Sequence, residues 1–246
     1  PHVAPDRRVA VFATCLVEYR RPQIGHALVD VYSRNGIACD VAGAGCCGAP
    51  WLTSGDTRRF AERAAQNVAV LATAIRAGAD VVVAQPTCHA VITTDYVDHV
   101  GGSDAELVAA RTFDAVQYLA DLHAIGTPLD TRFAGEVPAR IVHHDPCPPL
   151  DPDAPSAVRE LLELTGARVD VVACCTGVDG RWGLRAPNAP IALATAAEIG
   201  AAIERFAADV ITGGCVLANT AITEQTGRVP VHPLEALASA YGRIGG

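Results

Sequence analysis

Short apolar runs recur along the chain between turn-forming residues, and longer stretches between them repeat apolar residues at three- and four-residue steps. Residues 9–13, 38–42 and 80–84 are brief and rich in β-branched side chains, which predicts buried strands. Residues 57–77 read as a helix. Phe60, Ala64, Val68, Leu71 and Ile75 fall on one face, and Ser54-Gly55-Asp56 just before them offers a cap. Residues 105–122 predict a further helix, and a last short one follows Val231-His232-Pro233-Leu234-Glu235. Strands alternating with helices imply parallel sheets with right-handed crossovers.

The pattern is then written a second time. Arg8-Val9-Ala10-Val11 running to Cys15 has its counterpart in Arg140-Ile141-Val142-His143 running to Cys147. Asn35-Gly36 through Val41, followed by Cys46-Cys47, matches Thr165-Gly166 through Val171, followed by Cys174-Cys175. The stretch from Ala79-Asp80-Val81 to Cys88 matches that from Ala208-Asp209-Val210 to Cys215. Ile191, Thr195, Ile199, Ile203 and Phe206 repeat the apolar face of the first long helix. Three matched segments in one order indicate tandem α/β repeats. The loop-rich stretch 122–137 separates them, giving expected units 1–125 and 126–246, each a cysteine-rich repeat.

Composition narrows the chemistry. Half of the 246 residues are apolar, enough for a sizeable core. The net charge is −8, and all 19 basic residues are arginines scattered along the chain, so no nucleic-acid partner is expected. No apolar run approaches a membrane span, and no charged-then-apolar leader stands at the front. The chain starts at Pro1 and contains no methionine, so it reads as a processed chain or part of a longer one, with room for domains upstream. The nine cysteines, an odd count in a chain of this length, point to a reducing compartment and to metal chemistry rather than disulfides.

Eight of the nine form two matched sets: Cys15, Cys46, Cys47 and Cys88, then Cys147, Cys174, Cys175 and Cys215. Each lies just past a predicted strand, so each set is expected to converge at the strands' carboxyl ends, where open parallel sheets collect ligands. Thiolates suit zinc and iron–sulfur clusters. Adjacent cysteines in an extended segment point in different directions. That favours a cluster, whose several irons can each take one, and leaves zinc as the alternative in at least one site. Cys39 aligns with Val169 and is expected to be a packing residue. Gly48 and Gly177 would let the backbone turn closely around a cofactor. His89 either approaches the first site or is a polar loop residue. His143 and His144 either hydrogen-bond cluster sulfurs or cap a strand end. His232 reads as structural, and Trp182 and Arg185 as loop residues that would at most cover the second site.

Cys46-Cys47-Gly48-Ala49-Pro50, Gln85-Pro86-Thr87-Cys88, His144-Asp145-Pro146-Cys147, Cys174-Cys175 before Trp182-Gly183-Leu184, and Val231-His232-Pro233-Leu234-Glu235 together resemble the cysteine-rich CCG-domain family. That family holds a subunit of heterodisulfide reductase and the iron–sulfur subunits of glycolate oxidase, anaerobic glycerol-3-phosphate dehydrogenase and lactate utilisation. The Pro-Thr-Cys and His-Asp-Pro-Cys segments look most like the glycerol-3-phosphate dehydrogenase type. The resemblance implies a 4Fe-4S-type cluster in each repeat and electron transfer in a respiratory-type oxidoreductase. The implied partners are a flavin-containing dehydrogenase subunit acting on glycerol 3-phosphate, lactate or glycolate, a quinone or other carrier, and a ferredoxin-like domain upstream. The implied location is cytoplasmic, peripheral at the inner face of the membrane through partners. The fullest family motif ends each repeat with Cys-x-x-Cys, whereas here Val91 and Ala218 occupy the last position. Electron relay is therefore ranked first, a zinc-stabilised docking scaffold second and disulfide reduction last, and no catalytic residue is assigned.

Overall fold

The computed structural model describes residues 7–145, 156–180 and 182–242. Seven strands form two parallel sheets. The first holds β1 (Arg7–Val11), β2 (Ile37–Val41), β3 (Asp80–Val83) and β4 (Thr112–Asp114) in the order β2-β1-β3-β4. The second holds β5 (Arg140–His144), β6 (Arg168–Val172) and β7 (Val210–Gly213) in the order β6-β5-β7. The expected α/β class with parallel strands is what the chain adopts. Tertiary contacts divide it into the units Pro1–Asp130 and Thr131–Gly246.

The repeat is visible in the register. Val9 on β1 faces Cys39 on β2, and Ile141 on β5 faces Val169 on β6. Cys39 therefore occupies a mid-strand position, half-buried, like the valine it aligns with. Burial, and then Asp40 beside it, push its thiol up to about 11.

The first long helix spans Thr57–Arg76, with the Asp56 side chain accepting from Arg59 N–H as its cap. Its apolar face packs into a core with Phe12, Val81, Val83 and Ile92. In the second unit the matching helix runs Ala189–Glu204. Ala192, Ala196, Ile199, Gly200 and Ile203 are its buried residues, and Ile191 is 60% exposed. Ile199 and Ile203 are buried as expected, while in the first turns the inward face is turned one residue, to Ala192 and Ala196, and Phe206 lies beyond the helix end. Small alanines face inward because the loop carrying Gly177 and Gly183 packs directly on Ala192.

One expected element is corrected. Residues 105–122 are not one helix but the helix Gly102–Ala110, strand β4 and the helix Ala115–Ala124. Asp114 restarts the helix, its carboxylate accepting from Val116 and Gln117 N–H. Thr112 and Phe113 favour extension, and pairing with Val81 and Val82 of β3 fixes it. Among the described residues no helix is long and apolar enough to cross a membrane.

Candidate metal centre

The first cysteine set converges where β1, β2 and β3 end. Cys15 opens the helix Cys15–Arg20, capped by the Thr14 hydroxyl accepting from Val17 N–H. Cys46 and Cys47 lie on the loop after β2, and Cys88 sits in the first turn of the helix Pro86–Ala90. The Cys15 and Cys46 sulfurs are 3.9 Å apart, and the Cys47 thiol donates to the Cys88 sulfur at 3.1 Å. The four sulfurs therefore form two close pairs, joined through the adjacent residues Cys46 and Cys47. The neighbouring cysteines point apart, one toward the β1 end and one toward the β3 end, as expected for an extended pair.

Proximity and burial make Cys15, Cys46 and Cys47 hard to ionise. Burial, and then Cys46, raise Cys15. Cys46 is raised well above an ordinary thiol by the neighbouring Cys47 side chain and by burial. Cys47 is drawn down by Cys46 but pushed up further by Cys88 and by burial, and ends well above the ordinary range. A bound metal removes this conflict, because it takes the place of the protons and supplies the opposing positive charge. The donor set, four soft sulfurs with two of them in the hydrophobic core, fits an iron–sulfur cluster. Among the described residues no three of His, Cys, Asp or Glu surround one point that could hold a single metal ion.

Two buried polar side chains that the sequence pattern does not single out fix the backbone here. Asn67 Oδ1 accepts from Gly45 N–H at 2.9 Å, and Asn67 Nδ2 donates to the Cys46 carbonyl at 3.0 Å and to the Tyr96 hydroxyl at 2.8 Å. Tyr96 in turn donates to the Cys47 carbonyl at 2.9 Å. The one available signal is an amide on an otherwise apolar helix face, between Ala64 and Leu71. Gly48, at φ +91°, needs its glycine for that conformation, and also because a Cβ would press on the Phe60 ring at 2.8 Å. The His89 Nδ1 is buried without a hydrogen-bond partner, and burial lowers the ring's affinity for a proton.

The second set is held differently. Cys147 lies outside the described residues. Cys174 is half-buried and its carbonyl accepts from His144 Nε2 at 2.9 Å. Since a carbonyl only accepts, His144 carries its proton on Nε2. Its buried Nδ1 has no partner. Burial lowers its affinity for a second proton. Cys175 is exposed, its sulfur accepting from Gly177 N–H at 3.3 Å. Cys215 is half-buried at the residue just before the helix Val216–Thr226. His143 Nδ1 lies 2.9 Å from the Thr212 hydroxyl of β7, and its Nε2 lies 3.3 Å from Asp145. Both histidines thus serve the strand end and the main chain. His232 caps the helix Pro233–Tyr241 in a capping box with Glu235, the structural role expected of it. Trp182 and Arg185 are exposed in the loop before the helix Ala189–Glu204.

The chain's likeness to known proteins covers both sets. A family model described as a cysteine-rich domain, CCG, matches residues 9–93 and again 141–220. A subunit of the anaerobic glycerol-3-phosphate dehydrogenase of Escherichia coli is 27% identical over 242 residues, 95% of this chain and 59% of that protein. The chain thus spans well under two thirds of that relative's length. A subunit of the fumarate reductase (CoM/CoB) of Methanothermobacter marburgensis is 29% identical over 145 residues, 58% of this chain and 26% of that protein. Lactate utilization protein A of Bacillus pumilus is 28% identical over 121 residues, 47% of this chain and 49% of that protein.

Proposed function

The chain belongs to the family of cysteine-rich CCG domains, and on that premise we propose that it is an iron–sulfur electron-transfer module of an oxidoreductase. The observation that carries this reading is the two close sulfur pairs gathered from three strand ends in the first unit, Cys15 with Cys46 and Cys47 with Cys88. Cys147, Cys174, Cys175 and Cys215 are the corresponding ligands proposed for the second. An iron–sulfur cluster of 4Fe-4S type supplies reversible one-electron transfer when bound. The protein's own part is to hold the thiolates, orient the loop that carries them and exclude water. Cys47 and Cys88 lie within the first unit's core, which favours that exclusion.

Relay rather than bond chemistry follows from the missing fifth cysteines. Val91 and Ala218 stand in their places, and both are buried apolar residues without a donor. The relatives' names point to dehydrogenase and reductase complexes. Electrons would come from a flavin-containing dehydrogenase subunit acting on glycerol 3-phosphate, lactate or glycolate, and leave toward a quinone or other carrier. A ferredoxin-like domain upstream in the same polypeptide fits the relative's greater length. The proposed setting is the cytoplasm, at the inner face of the membrane through those partners. We propose that the two cysteine-rich repeats, 1–125 and 126–246, each form one centre.

Protein purified without oxygen should carry iron and acid-labile sulfide in equal amounts and show an electron paramagnetic resonance signal on reduction. A preparation that holds zinc alone under those conditions overturns the reading in favour of a metal-stabilised scaffold.

A further inference from the structure

The helix that carries Cys88 does not run regularly. Pro86–Ala90 is α-helical, Val91–Asp95 is a π turn, and Tyr96–Val100 is α-helical again. Tyr96 N–H bonds to the Val91 carbonyl five residues back, the mark of that wider turn. Tyr96 follows Cys88 by eight residues, which in an unbroken α-helix places it about 80° around the axis. The wide turn absorbs one residue, so Tyr96 takes the angular place of a seventh residue, within about 20° of Cys88. One helix therefore reaches Cys47 twice: the Cys88 sulfur meets its sulfur at 3.1 Å, and the Tyr96 hydroxyl meets its carbonyl at 2.9 Å.

Asn67 closes the arrangement from the helix Thr57–Arg76. It binds Tyr96, the Cys46 carbonyl and Gly45 N–H, so the main chain on both sides of the Cys46–Cys47 peptide is held. Asn67 is 1% exposed and Tyr96 0%. Burying an amide and a phenol in an apolar core is costly unless each is hydrogen-bonded, and here the bonds go to the cysteine loop. Among the described residues the second unit has no such pair. Counting from Cys215, the eighth residue is Thr223, whose hydroxyl donates to the Asn219 carbonyl of its own unbroken helix. The residue matching Asn67 is Glu198, which is exposed.

We propose that Asn67 and Tyr96, brought together by the π turn Val91–Asp95, are positioning residues that preset the directions of the Cys46 and Cys47 thiolates in the first unit alone. The inference rests on reading the first set as cluster ligands, and the experiment separates the two. The whole chain is reconstituted anaerobically as the unaltered sequence, Tyr96→Phe, Asn67→Ser and, as a second-unit control, Thr223→Val. The first-unit signal is the one that Cys47→Ser abolishes.

Tyr96→Phe keeps the ring against Phe60, 5.9 Å between centroids, and removes only the hydroxyl. It should alter the g-value spread of the first-unit signal, and iron should leave that site for a chelator about tenfold faster. Thr223→Val should change neither. With the metal-free chain, cobalt(II) should give a weaker thiolate-to-metal absorption in Tyr96→Phe than in the unaltered sequence. Asn67→Ser should repeat the pattern and carries the comparison if Tyr96→Phe does not fold. An unaltered chain that takes up neither iron with sulfide nor cobalt on thiolate overturns the cluster reading itself. An unaltered chain that loads, with variants that keep its signal shape, release rate and cobalt band, overturns the positioning role.

Discussion

In the first unit the main chain at Cys46-Cys47 hangs from Asn67 and Tyr96, two side chains on helices. In the second, the main chain at Cys174 is held by His144, on the central strand of its sheet. The position three residues before the first cysteine is Phe12, just past β1, in one unit and His144, the last residue of β5, in the other, and both are buried. The same task has moved from the layer of helices to the layer of strands. The environments differ with it: Cys47 and Cys88 are buried, whereas Cys175 is exposed and Cys174 and Cys215 are half-buried. A potential set by burial and hydrogen bonding at sulfur will not be the same at two such sites. A repeated ligand set need not mean a repeated centre.

The sharpest way to break that contrast is to remove one thiol from each side. Cys47→Ser should abolish the first-unit signal and lower bound iron by one cluster, while leaving the second signal. Cys175→Ser should do the reverse. Iron analysis with paramagnetic resonance checks both, and a loss of both signals from either substitution would show that the units share one centre.

The packing contrast should be nearly as large. Phe60 is fully buried against Tyr96 and Gly48, so Phe60→Ala should cost about 3–5 kcal/mol in urea unfolding of the metal-free protein. Its sequence counterpart Ile191 is exposed, and Ile191→Ala should stay within about 0.5 kcal/mol. Equal losses would contradict the turned helix face of the second unit.

His144→Leu tests the strand-borne contact. Losing the donor leaves the Cys174 carbonyl without its partner, at a cost of about 1–3 kcal/mol. The second-unit signal should change shape and the first should not. The smallest effect is expected at Cys39. Cys39→Val should leave bound iron unchanged, since Cys39 faces Val9 in the sheet and its thiol donates to the Ile37 carbonyl of its own strand.

Much of this is legible in the sequence because a duplication states each strand twice. The β-branched runs and the cysteines that follow them offer each strand end two chances to be recognised. β4 has no such help. Its three residues lie between helical stretches and become a strand through pairing with β3, a contact the local pattern does not encode. The start of the helix Ala189–Glu204 is hard to read for a similar reason: Ile191 looks like part of the core stripe that Ile199 and Ile203 do form, yet the glycine loop packs on Ala192 beside it. The cysteine set is visible as chemistry, but what orients it is not. Tyr96 reads as one more buried aromatic, because the π turn that aims it leaves no local mark in Val91-Ile92-Thr93-Thr94-Asp95. Asn67 is the one readable clue, a polar residue at an apolar position.

Among the described residues the second sheet has three strands, and the β7 side of it is nonetheless engaged. Val231 forms a single parallel bridge to Thr212, donating to the Ile211 carbonyl and accepting from Gly213 N–H. The Arg228 guanidinium donates to the carbonyls of Ala208 and Asp209 just before β7. The hydrogen-bonding groups that a foreign strand would need in order to add itself there are already occupied. An incoming strand therefore meets main-chain groups along β7 that Val231 and Arg228 already engage, which disfavours edge-to-edge association on that side of the sheet.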